Sequence, residues 1–291
     1  MQNNIIIEMK RNNITEKAYI GSVVALDKNN KKLFEFNSDN SRNVIMRSFQ
    51  KPFQAYSFIT SSAYKKFGIS KKELSVISGS HAGTLAQAEL VKSILKKSGL
   101  KLSDLKCPKE YPLDEKTKFL LIKQGKKPAS VFCNCSGKHS GMLSACRALG
   151  YNITDYMNIN HPIQKKISKE TLGLCGFDKK ITAIDGCGVP VLAMPVENMA
   201  KGLQNLYKTK EGQEIISACL SYPMLFGGNN RLDTEIIKST KGKVFAKVGA
   251  AGLVGALNIQ TGEVLIVKIF ADDHEARRIL VFDYMKKLKW V

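Results

Sequence analysis

Ser48 and Lys51 stand three residues apart in Arg47-Ser48-Phe49-Gln50-Lys51-Pro52, a spacing that on a helix puts a hydroxyl and an amine on one face. An amine so placed can take the hydroxyl's proton, as a nucleophilic serine requires. A second cluster, Cys133-Asn134-Cys135-Ser136-Gly137-Lys138-His139, gathers two thiols, an amine and an imidazole, the donors of a soft-metal site or of a second catalytic surface. Together they point to an enzyme.

The Ser-x-x-Lys spacing recurs at Ser62/Lys65, Ser93/Lys96, Ser98/Lys101 and Ser103/Lys106, so context has to select a copy. Only Ser48 has an arginine before it, a proline after its lysine, and an apolar run (Phe53, Ala55, Tyr56, Phe58, Ile59) beyond. At a helix start, backbone N–H groups would also lie beside an attacked carbonyl. Two further segments join it: Ser80 in the Gly-rich turn Ser78-Gly79-Ser80-His81-Ala82-Gly83, and Lys247 on a strand before Gly249. The trio partly resembles the serine β-lactamase and penicillin-binding pattern of Ser-x-x-Lys, a serine loop and a Lys-Thr-Gly strand. A second cation at Lys247 would help to keep a desolvated Lys51 neutral enough to act as base. Asp185-Gly186-Cys187-Gly188-Val189-Pro190 adds another thiol in a tight turn, but the cysteine spacing is not that of a zinc finger. Cys133 would point away from Cys135 in an extended segment. Cys107, Cys146, Cys175 and Cys219 read as buried apolar thiols.

The elements that must hold these residues are legible in part. Tyr19 to Leu26 and Lys32 to Phe36, separated by Asp27-Lys28-Asn29-Asn30, read as a β-hairpin. Ser48 opens a predicted helix through about Ala63, and Thr84 to Lys97 is a helix with a Thr84-x-x-Gln87 capping box. His139 to Leu149, stopped by Gly150, and a segment begun by Pro162 follow as helices, with strand-like Ile181 to Ile184 between helical stretches. Lys243 to Val248, Gly252 to Ile259 and Glu263 to Phe270 read as strands, and Asp272-x-x-Glu275 caps a final helix from about Asp273 to Lys287. The expected fold is α+β. One domain over 1–291 builds a five-stranded antiparallel sheet from about 15–40 and 241–272, with an inserted helical region over about 84–240 and the site in the cleft between them.

Composition narrows the function classes. With 291 residues and 44% hydrophobic content, the chain can bury a core without staples. The stretch Met1 to Glu8 is too short for an export signal, and no apolar run could span a bilayer, so a cytoplasmic protein with no membrane partner is expected. Seven cysteines, an odd count, then favour reduced thiols. The net charge of +20 comes from scattered lysines without interleaved aromatics, which weighs against nucleic acid and leaves the surplus to steer small anions.

Taken in order, Arg47 to Ala55, Ser78-Gly79-Ser80-His81, Cys135-Ser136-Gly137-Lys138-His139-Ser140-Gly141-Met142, Asp185 to Pro190, Arg231-Leu232-Asp233-Thr234 and Lys247-Val248-Gly249-Ala250 resemble the thermolabile, rhizobial-type L-asparaginases, the asparaginase II family. The resemblance spans nearly the whole chain. It implies hydrolysis of L-asparagine to L-aspartate and ammonia by a homodimer, on a fold similar to serine β-lactamases and class A glutaminases. It also implies Ser48 as nucleophile with Lys51 as its base, Ser80 with Lys247 as a second pair, and Cys135, Lys138 and Cys187 as ligands of a zinc ion. Arg47, His139, Asp185 and Arg231 are the implied substrate contacts. Two blocks depart from the family pattern: Gly249-Ala250-Ala251-Gly252 has alanine where an acidic residue is expected, and Gly227-Gly228-Asn229-Asn230 replaces Gly-Thr-Gly. The alternatives are a β-lactamase-like or penicillin-binding-like acyl transferase and a basic nucleic-acid-binding protein with structural zinc.

Overall fold

In the computed structural model, residues 5–38 and 42–291 are described; Met1 to Asn4, part of the stretch read against an export signal, lie outside them. Strands β1 (Ile5–Arg11), β2 (Ile14–Leu26), β3 (Lys32–Phe36), β7 (Val244–Val248), β8 (Leu253–Asn258) and β9 (Val264–Ile269) form an antiparallel sheet from the two ends of the chain, with β7, β8 and β9 buried along their whole length. Its order is β1-β2-β9-β8-β7, with β3 also paired to β2. The sheet has six strands, not five. The extra one is β1, whose turn into β2 is made by Asn12 and Asn13, both at positive φ, the asparagine pair a tight hairpin favours.

Period-two alternation gives each face of the sheet its own core. Val24, Leu26, Phe245, Leu253, Leu257, Val264 and Ile266 face the helical side, whereas Val23, Ala25, Val244, Ala246, Val254, Leu265 and Val267 face a second cluster that includes α12 (His274–Lys287). Lys247 therefore points with Phe245 toward the helices. A second small sheet of β4 (Val44–Ile45), β6 (Pro190–Met194) and β5 (Ile181–Ile184) takes two strands from the stretch expected to be mainly helical, the strand-like Ile181–Ile184 and β6, and one from outside it.

Helices occupy most of the chain between β4 and β7, and those bearing on the site are α1 (Lys51–Thr60), α3 (Lys71–Ser78), α4 (Leu85–Lys97), α6 (Ser136–Leu149) and α11 (Leu232–Ser239). The predicted helix from Ser48 is instead a 3-10 turn over Arg47–Gln50 leading into α1, so Ser48 is no N-cap. The α4 capping box forms in both directions, Thr84 with Gln87. The final helix is capped by Asp273, which accepts from the Ala276 N–H, and not by Asp272. Helix α6 begins three residues earlier than predicted, so Lys138 joins His139 in its first turn.

Candidate active site

Arg47 adopts φ of 50°, a left-handed conformation costly for a side-chain-bearing residue, and it turns the chain from β4 into the 3-10 turn that presents Ser48. The turn packs closely on the sheet because β8 carries Gly255 there; a Cβ at that position would meet the Phe49 ring at 2.2 Å. Ser48 is half-buried and lines two adjoining cavities, which share Ser48, Asn134 and Ala250.

The larger cavity, about 420 Å³, is also lined by Ser80, Arg231 and Arg277. Lys51, 1% exposed, donates from Nζ to Ser80 Oγ at 2.8 Å and to the Asn134 carbonyl at 3.1 Å. No hydrogen bond joins Ser48 to Lys51 among the described residues. Lys247, on β7 as expected, is fully buried. Its Nζ lies 3.2 Å from Asp233 Oδ2 and 2.9 Å from the Val248 carbonyl, so its partner is Asp233 and not Ser80. Burial pushes the Lys247 amine down to about 8, with Lys51 and Arg231 adding to the lowering and Asp233 opposing it. For Asp233, burial acts to raise the pKa, but the charges of Lys247 and Arg231 prevail and hold it below its ordinary value.

The smaller cavity, about 210 Å³, brings together Arg47, Cys135, Asp185 and Cys187. Arg47 Nε bonds Asp185 Oδ1 at 2.7 Å. Lys138 Nζ lies 2.8 Å from Cys187 Sγ, and the Cys135 thiol touches those of Cys133 and Cys187. Hydrogen bonds from Cys133 and Cys187 hold the Cys135 pKa well below its usual value, helped by the charges of Lys51 and Lys138. Burial works against charge on Lys138, yet the negative charge at Cys135 and the contact with Cys187 raise it on balance. Contrary to the extended reading, Cys133 does not point away. It sits just after a 3-10 turn, lines the same cavity as Cys135, and contacts Cys107 as well.

Two histidines frame the site in neutral form. His139, fully buried, shares a 2.6 Å hydrogen bond between Nδ1 and the Tyr156 hydroxyl, and burial with the nearby Lys138 charge lowers it to about 3. His81 is likewise pushed to about 3 by burial and by Lys51; it contacts Ser136 Oγ at 3.0 Å and accepts from the Gly83 N–H, tying the Ser80 loop to the start of α6. Asp233, Asn134, His81 and Tyr156 were not singled out from the sequence, although Asp233 and His81 stand inside the motif blocks quoted above. Among the described residues, no group of three or more His, Cys, Asp or Glu side chains could hold a metal ion. A metal here would need the lysine as well: two soft thiols and an amine that converge on one wall suit a three-ligand site with an open position.

The cleft of this mixed α/β protein gathers serines, buried lysines and thiols, groups that acyl-transfer chemistry can use. The chain matches the family model described as L-asparaginase II over residues 7–291, and it belongs to that family. Membership supports an amidohydrolase that acts on asparagine. No curated protein matches the chain.

Proposed function

We propose that the chain hydrolyses L-asparagine to L-aspartate and ammonia through a β-aspartyl ester on Ser48. The observation that carries this reading is the buried Lys51–Ser80 hydrogen bond beside Ser48 in one cavity, in a chain of the L-asparaginase II family. Ser48 Oγ attacks the side-chain amide carbonyl while Lys51 takes its proton, and N–H groups of the Arg47–Gln50 turn hold the oxyanion. Ammonia leaves with a proton relayed from Lys51 through Ser80, the serine to which that amine is bonded. Water then cleaves the ester by the reverse path. Lys247, fixed by Asp233, sets a second buried cation near Lys51.

Asp185 and Arg47, already bonded to each other, offer opposite charges to the α-amino and α-carboxylate groups of the substrate. Neutral His139 supports that wall through Tyr156, and Arg231 faces the substrate from the larger cavity. Cys135, Lys138 and Cys187 would hold a zinc ion, with the lysine deprotonated on binding. Bound there, the metal would supply charge for orienting the substrate. Zinc, a single domain with a β-lactamase-like fold, a homodimer and a cytoplasmic location remain part of this proposal. Support for the fold comes from the sharing of one antiparallel sheet by the two ends of the chain.

The test is ammonia release from asparagine and glutamine, with Ser48→Ala as control. Release from asparagine that vanishes in the variant, whose circular dichroism is unchanged, supports the reading. Near-normal turnover by Ser48→Ala, or covalent labelling by a penicillin without ammonia release, overturns it.

A further inference from the structure

Ser48 stands where two cavities meet, and they are unequal. The smaller holds the Arg47–Asp185 pair, which matches the zwitterionic end of an amino acid, so the leaving group must face the larger one. Ammonia is no bigger than a water molecule, whose share of liquid volume is about 30 Å³. A space of about 420 Å³ is far more than it needs.

The far wall of that space is built for an anion. Arg277 is 4% exposed; its Nη1 donates to the Gly249 carbonyl at 3.1 Å and its Nη2 to His274 Nδ1 at 2.8 Å. Its Nε is buried without a partner. Because a guanidinium can only donate, His274 Nδ1 is the acceptor, and the proton of the neutral ring stands on Nε2 as a further donor. Glu235 is consumed by Arg278, whose Nη2 approaches at 2.5 Å. Arg231 and Arg277 then have only Asp272 and the Lys247-paired Asp233 as nearby negative charges, and neither arginine has a carboxylate within salt-bridge distance among the described residues. A buried guanidinium whose own hydrogen bonds go to a carbonyl and an imidazole has no carboxylate in contact, the partner such groups normally require.

We propose that this wall is a subsite for the carboxylate of an amino-acid leaving group, so that the site also cleaves β-aspartyl dipeptides, in which the amide nitrogen of asparagine is that of a second amino acid. The inference rests on the acyl-enzyme reading of Ser48. Ser48 Oγ adds to the β-carbonyl carbon and its proton goes to Lys51. The C–N bond breaks, the nitrogen takes a proton through Ser80, and the free amino acid leaves while its carboxylate is paired with Arg277. Water cleaves the ester, so that β-aspartyl-glycine and water give aspartate and glycine, with no other reactant.

The experiment compares β-aspartyl-glycine, β-aspartyl-glycinamide and asparagine on the full wild-type chain, following glycine or ammonia release by chromatography. The expected result is glycine release, with KM for the acid about ten-fold below that for the glycinamide, the scale of one charge-assisted hydrogen bond. Equal KM values, or no glycine release from preparations that hydrolyse asparagine, overturn the subsite and leave the asparagine reading intact. Cleavage of the dipeptide without cleavage of asparagine does the reverse, and inertness to both overturns both. Arg277→Gln should bring the preference for acid over amide close to unity; a preserved preference in the folded variant removes Arg277 from the subsite. The wild-type comparison stands even if that buried substitution prevents folding.

Discussion

Lys51 Nζ lies 2.8 Å from Ser80 Oγ, so the lysine of the Ser-x-x-Lys motif is bonded to a serine 29 residues away and not to the one that precedes it by three. The same packing pairs Lys247 with Asp233. The two Ser–Lys pairs implied by the sequence become one Ser–Lys contact and one buried ion pair.

Ser80→Ala should lower kcat for asparagine by about 100-fold with little change in KM, since proton relay contributes on that scale and Ser80 is assigned no ground-state contact. Steady-state ammonia release decides it. A variant within a few-fold of wild type would leave Ser80 as a mere partner of Lys51.

Asp233→Ala should cost about 3–5 kcal/mol in urea unfolding, because it strands a fully buried ammonium. The double variant Lys247→Met/Asp233→Leu, which removes both charges, should recover most of that loss. If the single variant matches wild type, the pair contributes nothing to stability.

Lys247 also sets a pH dependence. Its amine is held at about 8 against an ordinary 10.5, so between those values the unfolded chain binds the extra proton. Stability from this group therefore rises with pH across that window and is flat below about 8, where both states are protonated. Urea midpoints of wild type should climb from pH 8 to pH 10 relative to the Lys247→Met/Asp233→Leu variant; parallel curves would place the titration elsewhere.

Cys135→Ala and Cys187→Ala should each lower zinc content and raise KM for asparagine by about ten-fold, the usual scale for a damaged metal site. Atomic absorption on purified protein is the direct check. Undiminished metal in both variants would eliminate the two-thiol, one-amine site.

Gly255→Ala should destabilise the fold by about 1–3 kcal/mol and reduce kcat together with it, since the new methyl collides with Phe49, the residue after Ser48. Melting temperature and turnover measured on one preparation test the link. Loss of neither would show that the turn can shift freely on the sheet.

The sequence by itself determined what is local or periodic. The cap at Thr84, the helix start at Pro162, the glycine stop at Gly150, the β2–β3 hairpin and the three C-terminal strands all follow from neighbouring residue types, because backbone hydrogen bonding and side-chain alternation act over a few positions. Motif order also made the family legible, and the family match spans residues 7–291. Tertiary structure alone decided which charged groups face each other: Lys51 with Ser80, Lys247 with Asp233, Arg47 with Asp185, and Arg277 left to a carbonyl and an imidazole. Such pairings depend on how sheet, turn and helices dock across long stretches of chain, where burial removes water and makes each ion's one partner matter. No spacing along the sequence encodes that distance.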